Sequence, residues 1–156
     1  MLNLLVVAVG SNMPDWVDRA WIEYSKRLRN KVKIELREIP ALKRGKNPDI
    51  GKVVQEEESR ISDAVAGRDR VIALDRCGRT VSTRELAQQM TAWMQDGPRV
   101  ALVIGGPEGL STQFLETCQA TWSLSAMTFA HPVARVVLAE QLYRGYSIIQ
   151  GLPYHR

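Results

Sequence analysis

The sequence predicts an α/β domain on a mainly parallel sheet, and three observations carry that prediction. Short apolar runs alternate with segments whose apolar residues recur at helical spacing, from one end of the chain to the other. The 156 residues are 45% apolar and 24% charged, the size and balance of one globular domain. No internal repeat, low-complexity tract or linker divides residues 1–156, so they read as a single domain.

The elements follow in order. Leu2 to Val9 is a first strand. Pro14 suits the first turn of a helix whose apolar face is Val17, Ala20, Trp21, Tyr24 and Leu28. Val32, Ile34 and Leu36 alternate with Lys33, Glu35 and Arg37, as in a half-buried strand. Ala41 to Asp49 is a basic loop broken by Gly45 and Pro48, and a polar helix runs from Pro48 towards Ala66. Arg70 to Asp75 is a third strand. Ser82 and Glu85 have the spacing of a capping box, opening a helix that ends near Asp96-Gly97-Pro98. Arg99 to Ile104 is a fourth strand, Ser111 caps a helix over Thr112 to Ala120, and Trp122 to Leu124 is a fifth strand. The last helix runs from near Pro132 to about Gln150. Its apolar residues, from Val133 through Leu142 and Tyr146 to Ile149, cover most of its circumference, which points to a second subunit as well as a sheet.

Charge and missing motifs narrow the function. The net charge of +4 is concentrated in residues 1–52, which carry 11 Lys and Arg against 6 Asp and Glu. A basic segment on a near-neutral body suits a polyanion such as RNA, and Lys43, Arg44 and Lys46 form its expected contact loop. No apolar run approaches the roughly 20 residues that cross a bilayer. The N-terminal run lacks a basic flank, so the expected location is the cytoplasm, with no membrane partner. Cys77 and Cys118 make neither a disulfide framework nor a zinc motif, and no ligand spacing surrounds His131 or His155, so no metal is expected. GxGxxG after the first strand, the P-loop and the GxSxG elbow are all absent.

Two loops remain as ligand candidates. Val103 to Leu110, VIGGPEGL, ends a core strand with three glycines in five positions, where the backbone can approach a flat ligand. Ser123 to Pro132, SLSAMTFAHP, is uncharged before His131 and suits an uncharged flat group such as adenine better than phosphate. His131 reads as a helix-start residue bonded to backbone, ahead of a catalytic role. Glu140 and Arg144 fit an i,i+4 pair. Glu108 fits either a cofactor ammonium or a helix N-terminus.

These loops carry a resemblance. IGGPEGL, WSLSAMTFAHPVARVVLAEQLYRGYSI and the closing PYHR, together with NMPDWV, EIPALKRGKNPDI and VIALDRCG, resemble the RlmH family of SPOUT-class methyltransferases over essentially the whole chain. The resemblance implies helices on both faces of the sheet, a C-terminal trefoil knot, a homodimer and S-adenosylmethionine bound in the knot. It implies methylation of N3 of a pseudouridine in 23S ribosomal RNA; the limited recognition surface of 156 residues favours a large preformed target, the assembled ribosome. The family's cofactor site carries over to Leu74, Gly105, Leu124, Ser125, Ala126, Met127, Thr128 and Phe129. Ala130 departs from the pattern, which often has proline there. The tail is assigned to the target nucleotide: Tyr154 stacks on a base, His155 accepts a proton and Arg156 pairs with phosphate, in the pocket of its own or the partner subunit. The rival readings are a SPOUT methyltransferase for another RNA, a non-catalytic RNA-binding module, and a nucleotide-using α/β enzyme of another class.

Overall fold

The structure, a computed structural model, describes residues 1–28 and 30–156. Within them, strands β1 (Leu2–Val9), β2 (Val32–Ile39), β3 (Arg70–Thr80), β4 (Val100–Ile104) and β5 (Ala120–Ser123) alternate with helices α1 (Asp15–Arg27), α2 (Ile50–Val65), α3 (Thr83–Asp96), α4 (Thr112–Thr117) and α5 (His131–Ile149). The strands form one sheet in the order β2-β1-β4-β3-β5, with every pairing parallel.

β1 shows why helices cover both faces. Leu2, Leu4, Val6 and Ala8 point to a core shared with Trp21 of α1, Met90 and Trp93 of α3, and Leu138 and Leu142 of α5. Leu5, Val7 and Val9 point the other way, to Ile61 of α2 and Phe114 of α4. A strand apolar on both sides is stable only between two layers. β2, at the edge, buries Val32 and Ile39 and only partly buries Ile34 and Leu36.

Helix starts follow local chemistry. The Ser82 hydroxyl accepts the Glu85 N–H at 3.1 Å and the Glu85 carboxylate accepts the Ser82 N–H at 2.7 Å, closing the capping box. Asp49 caps α2 through the Lys52 N–H, and Ser111 caps α4 through the Phe114 N–H. Gly97 ends α3 at φ +72°.

The largest differences from the sequence reading are at α4, β5 and β3. α4 ends at Thr117 rather than Ala120, because residues 120–123 pair with β3. β5 therefore starts at Ala120 and ends one residue before Leu124. β3 continues past Asp75 to Thr80: Trp122 pairs with Leu74 and again with Arg79, so the intervening residues bulge out of the ladder. Gly78 sits in that bulge. A Cβ there would lie 2.6 Å from the Thr121 carbonyl carbon and 2.7 Å from the Trp122 carbonyl carbon, both backbone atoms that cannot swing aside. Gly78→Ala is expected to destabilise by about 1–3 kcal/mol through overpacking, read as a lower urea midpoint at unchanged m. An unchanged midpoint would mean that the two backbones do not meet there.

The apolar circumference of α5 is largely consumed within the chain. Both α1 and α3 pack on it, and Leu138, Ala139, Leu142 and Tyr146 are buried. Gly145 permits the close approach of α3, since a Cβ would meet Met90 Sδ at 2.9 Å. Val133 and Leu152 keep exposed apolar surface. No helix among the described residues is long and apolar enough to cross a membrane.

Candidate active site

The carboxyl ends of β3, β4 and β5 open on a cleft of about 600 Å³, where ligands bind in open parallel sheets. Leu74 and Asp75 form its floor on β3, Gly105 to Leu110 one wall, and Ser123 to Ala130 another. The start of α5 closes it with His131 and Ala134. Seven of the carried-over cofactor residues line the cleft: Leu74, Gly105, Leu124, Ser125, Met127, Thr128 and Phe129. Ala126 belongs to the same loop without lining it.

The glycine-rich wall has a nearer reason for its composition than ligand approach. The Gly109 N–H donates to the Gly106 carbonyl at 3.0 Å across a turn, with Gly109 at φ +74°. A Cβ at Gly105 would strike the Leu110 side chain at 2.9 Å, and one at Gly106 would reach Val9 at 3.2 Å. The loop folds back on itself, and the glycines are first of all what lets it do so. Asp75, which sequence reasoning missed, ties the glycine-rich wall to β3: its carboxylate accepts the Cys77 N–H at 3.0 Å and the Leu110 N–H at 3.3 Å. The signal was a lone carboxylate directly after the last apolar residue of a strand. The serine-rich wall is ordered by its own hydroxyls. Ser123 donates to the Ser125 carbonyl at 2.7 Å, and the Ser125 hydroxyl accepts the Met127 N–H at 3.0 Å.

Arg44 belongs to this site as well as to the basic loop. Its guanidinium donates to both carboxylate oxygens of Glu57, at 3.1 and 3.3 Å, and to both of Glu108. Glu57 is buried and also accepts the Leu42 N–H at 3.0 Å. Hydrogen bonds from Arg44 hold the Glu108 carboxyl below its ordinary range, and the two carboxylates raise the Arg44 pKa. Lys43 and Lys46 beside it are exposed.

At the far side of the cleft, Arg135 is buried at 1% exposure. It donates to Glu38 at 2.6 Å and to the Gly10 carbonyl at 2.7 Å, joining α5 to the ends of β1 and β2. Sequence reasoning missed it too. The signal was an arginine in register with Leu138 and Leu142 on the core face of α5. His131 does not make the backbone bond expected of it: among the described residues, neither ring nitrogen is hydrogen-bonded. Burial first and the Arg135 charge second push its pKa down.

The tail is ordered but lies elsewhere. The Leu152 N–H donates to the Ser147 carbonyl at 2.8 Å, Tyr154 packs edge-on against Tyr143 at 4.6 Å, and its hydroxyl donates to Glu140 at 3.0 Å. Arg144 lies 4.8 Å from the Tyr154 ring and pairs with Glu140, as the i,i+4 spacing predicts. Tyr154, His155 and Arg156 do not line the cleft of their own chain. Among the described residues, no group of three or more His, Cys, Asp or Glu is placed to hold a metal.

The cleft's chemistry fits S-adenosylmethionine. Apolar Leu74, Ile104, Leu124 and Phe129 suit an adenine, the loop amides and hydroxyls suit its edge and ribose, and Asp75 and Glu108 suit a cationic ligand.

Comparisons with known proteins agree with this geometry. A family model described as "Predicted SPOUT methyltransferase" matches residues 2–155. A protein named ribosomal RNA large subunit methyltransferase H from Thioalkalivibrio sulfidiphilus (strain HL-EbGR7) is 44% identical over 155 residues, 99% of each chain. One of the same name from Legionella pneumophila (strain Paris) is 42% identical over all of both chains. Among solved structures, a probable methylase family protein from Haemophilus influenzae Rd KW20 superposes with TM-score 0.61 at 14% identity, covering 99% of this chain and 71% of that one. TrmJ from Z. mobilis ZM4 superposes with TM-score 0.54 at 15% identity, covering 92% and 69%, respectively. The structural likeness shows the fold, and the full-length sequence matches go further: the chain belongs to the SPOUT methyltransferase family.

Proposed function

We propose that this protein methylates N3 of a pseudouridine in 23S ribosomal RNA, on the assembled ribosome, with S-adenosylmethionine as methyl donor. The observation that carries the reading is the cleft at the ends of β3, β4 and β5, lined by the residues the family resemblance assigns to the cofactor, in a chain matched end to end by large-subunit rRNA methyltransferases. When bound, the cofactor supplies a methyl group made electrophilic by its sulfonium. The chain's part is to hold the base in line with that methyl, exclude water and take the N3 proton. Asp75 and Glu108 counter the cofactor's positive charge, and the Ser123–Phe129 loop encloses its flat end.

The same reading includes a homodimer, with a tail placed to complete the partner's cleft, and a trefoil knot at the C-terminus. The knot rests on the family resemblance, which spans the whole chain. Val133 and Leu152 offer apolar surface for a second subunit. Cytoplasmic location follows from a ribosomal substrate.

RNA contact falls to Lys43 and Lys46, because Arg44 is already committed to two carboxylates. Changing both lysines to alanine is expected to weaken RNA binding and lower the slope of log K against log salt by about 1.4–1.8. An unchanged slope would place the phosphate contacts elsewhere.

The deciding experiment transfers a labelled methyl from S-adenosylmethionine to ribosomes from cells lacking this protein, with and without the target pseudouridine, and to protein-free rRNA. Label on one pseudouridine of intact ribosomes is the expected result. Cofactor binding without label on any acceptor would move the target to another RNA, and absence of both would favour a binding module.

A further inference from the structure

We propose that His131 is the proton acceptor for the reacting nitrogen and that Arg135 is the positioning residue that holds it ready. The inference rests on the N3-methylation reading above, and it moves the proton-accepting role from His155, which does not line the cleft of its own chain, to His131, which does. His131 is the first residue of α5 and forms part of the cleft wall, facing the same space as the glycine-rich and serine-rich loops. Among the described residues, neither ring nitrogen has a hydrogen-bond partner, so the imidazole is not committed to another group of the chain.

Its place is fixed by packing instead. Gly10, at φ +116°, leaves room for it: a Cβ there would sit 3.2 Å from His131 Nε2 and 2.9 Å from Met13 Cε. Arg135, one helical turn along α5, pins the Gly10 carbonyl and is itself pinned by Glu38. The β1–α1 turn, β2 and α5 thus meet beneath one imidazole.

The electrostatics suit a base. An acceptor must be neutral at working pH, and burial, the adjacent Arg135 charge and the uncapped N-terminus of α5 all disfavour the imidazolium. The charged groups around it are Arg135 on its own helix, Glu38 on β2 behind that arginine, and Asp75, Arg76 and Glu108 across the cleft. In the step, the imidazole lone pair takes the N3 proton. The N3 electron pair forms the new bond to the methyl carbon while the carbon–sulfur pair stays on sulfur. The imidazolium then returns its proton to solvent.

The test has two arms. The chain has two histidines, so imidazole NMR of the free protein is assigned by His131→Asn alone. His131 is expected to titrate below the ordinary 6.5, to stay there in Arg135→Lys and to rise towards 6.5 in Arg135→Gln. In the second arm, His131→Asn is expected to lower single-turnover methylation by about 10²–10⁴-fold with unchanged cofactor Kd. It should also remove the acidic limb of the wild-type pH–rate profile, and added imidazole should restore part of the rate to His131→Gly. A retained rate or a retained limb in His131→Asn, or a His131 titration at or above 6.5 in the wild type, would overturn the proposal. These arms are read against wild type: no transfer to pseudouridine by wild type sinks the functional reading and this proposal with it, whereas transfer by wild type and by His131→Asn alike sinks only the proposal. If Arg135→Gln fails to fold, the wild-type titration and the His131 variants still decide.

Discussion

Arg44→Ala is expected to destabilise the protein by about 3–5 kcal/mol, because it strips the guanidinium from a buried carboxylate. Glu57 is 3% exposed, and the Leu42 N–H alone would then face its charge. For a domain of this size the loss corresponds to a fall in Tm of roughly 10 °C. A lysine containing the same charge is not a substitute, since both carboxylates are held in two-pronged fashion by one planar group. Acid titration gives a second readout. Glu108 is depressed in the folded state, so its contribution is present above the ordinary carboxyl value of 4.5 and is lost as pH falls through the lower folded value. That part of the pH dependence of stability should vanish in Arg44→Ala. Cofactor affinity should fall as well, since Glu108 and the glycine loop lose their anchor. A stable Arg44→Ala protein with weakened RNA binding alone would mean that the arginine points to RNA, as charge density on its own suggested.

The Arg44 contacts also show where sequence reading stops. The strand and helix alternation was legible because a buried sheet leaves apolar runs, and the caps at Ser82 and Ser111 were legible because each accepts an N–H three residues on, whereas the Asp49 cap of α2 was passed over inside a basic loop. The cleft was legible as two unusual loops after apolar strands, at Gly105 and at Ser123. Whether a charge faces solvent or a partner is set by tertiary distance. Arg44 and Glu108 are 64 residues apart, and Arg135 and Glu38 are 97 apart, so neither pair leaves a local pattern. The β3 extension was hidden for a related reason: Cys77-Gly78-Arg79-Thr80 has no apolar period, and it is a strand only because β5 runs beside it. The three glycines stand out in the sequence, but their cause is in large part the loop's own packing.

Deleting residues 154–156 is expected to reduce methylation by at least about 10³-fold while leaving the fold and cofactor affinity nearly intact. The fold should survive because the deletion orphans nothing. Glu140 keeps Arg144 at 2.7 Å and Gln141 at 2.8 Å, and Tyr143 loses one edge contact worth about 0.5–1.5 kcal/mol. Cofactor affinity should survive because no tail residue lines the cleft of its own chain. The loss of activity then has to come through RNA or through the partner's cleft, and mixing separates the two. Combining the deleted chain with a Leu124→Arg chain, whose own cleft is blocked but whose tail is whole, should restore activity if tails serve across a dimer. The restored dimer would have one open cleft, on the deleted chain, facing the one intact tail. Tails that act only within their own subunit would give no recovery in any mixture. Tyr154→Phe sharpens the assignment: its hydroxyl, pushed up to about 12 chiefly by burial, stays protonated and donates to Glu140 at neutral pH. A normal rate in Tyr154→Phe would therefore leave stacking by the ring, rather than that donated bond, as what the tyrosine contributes.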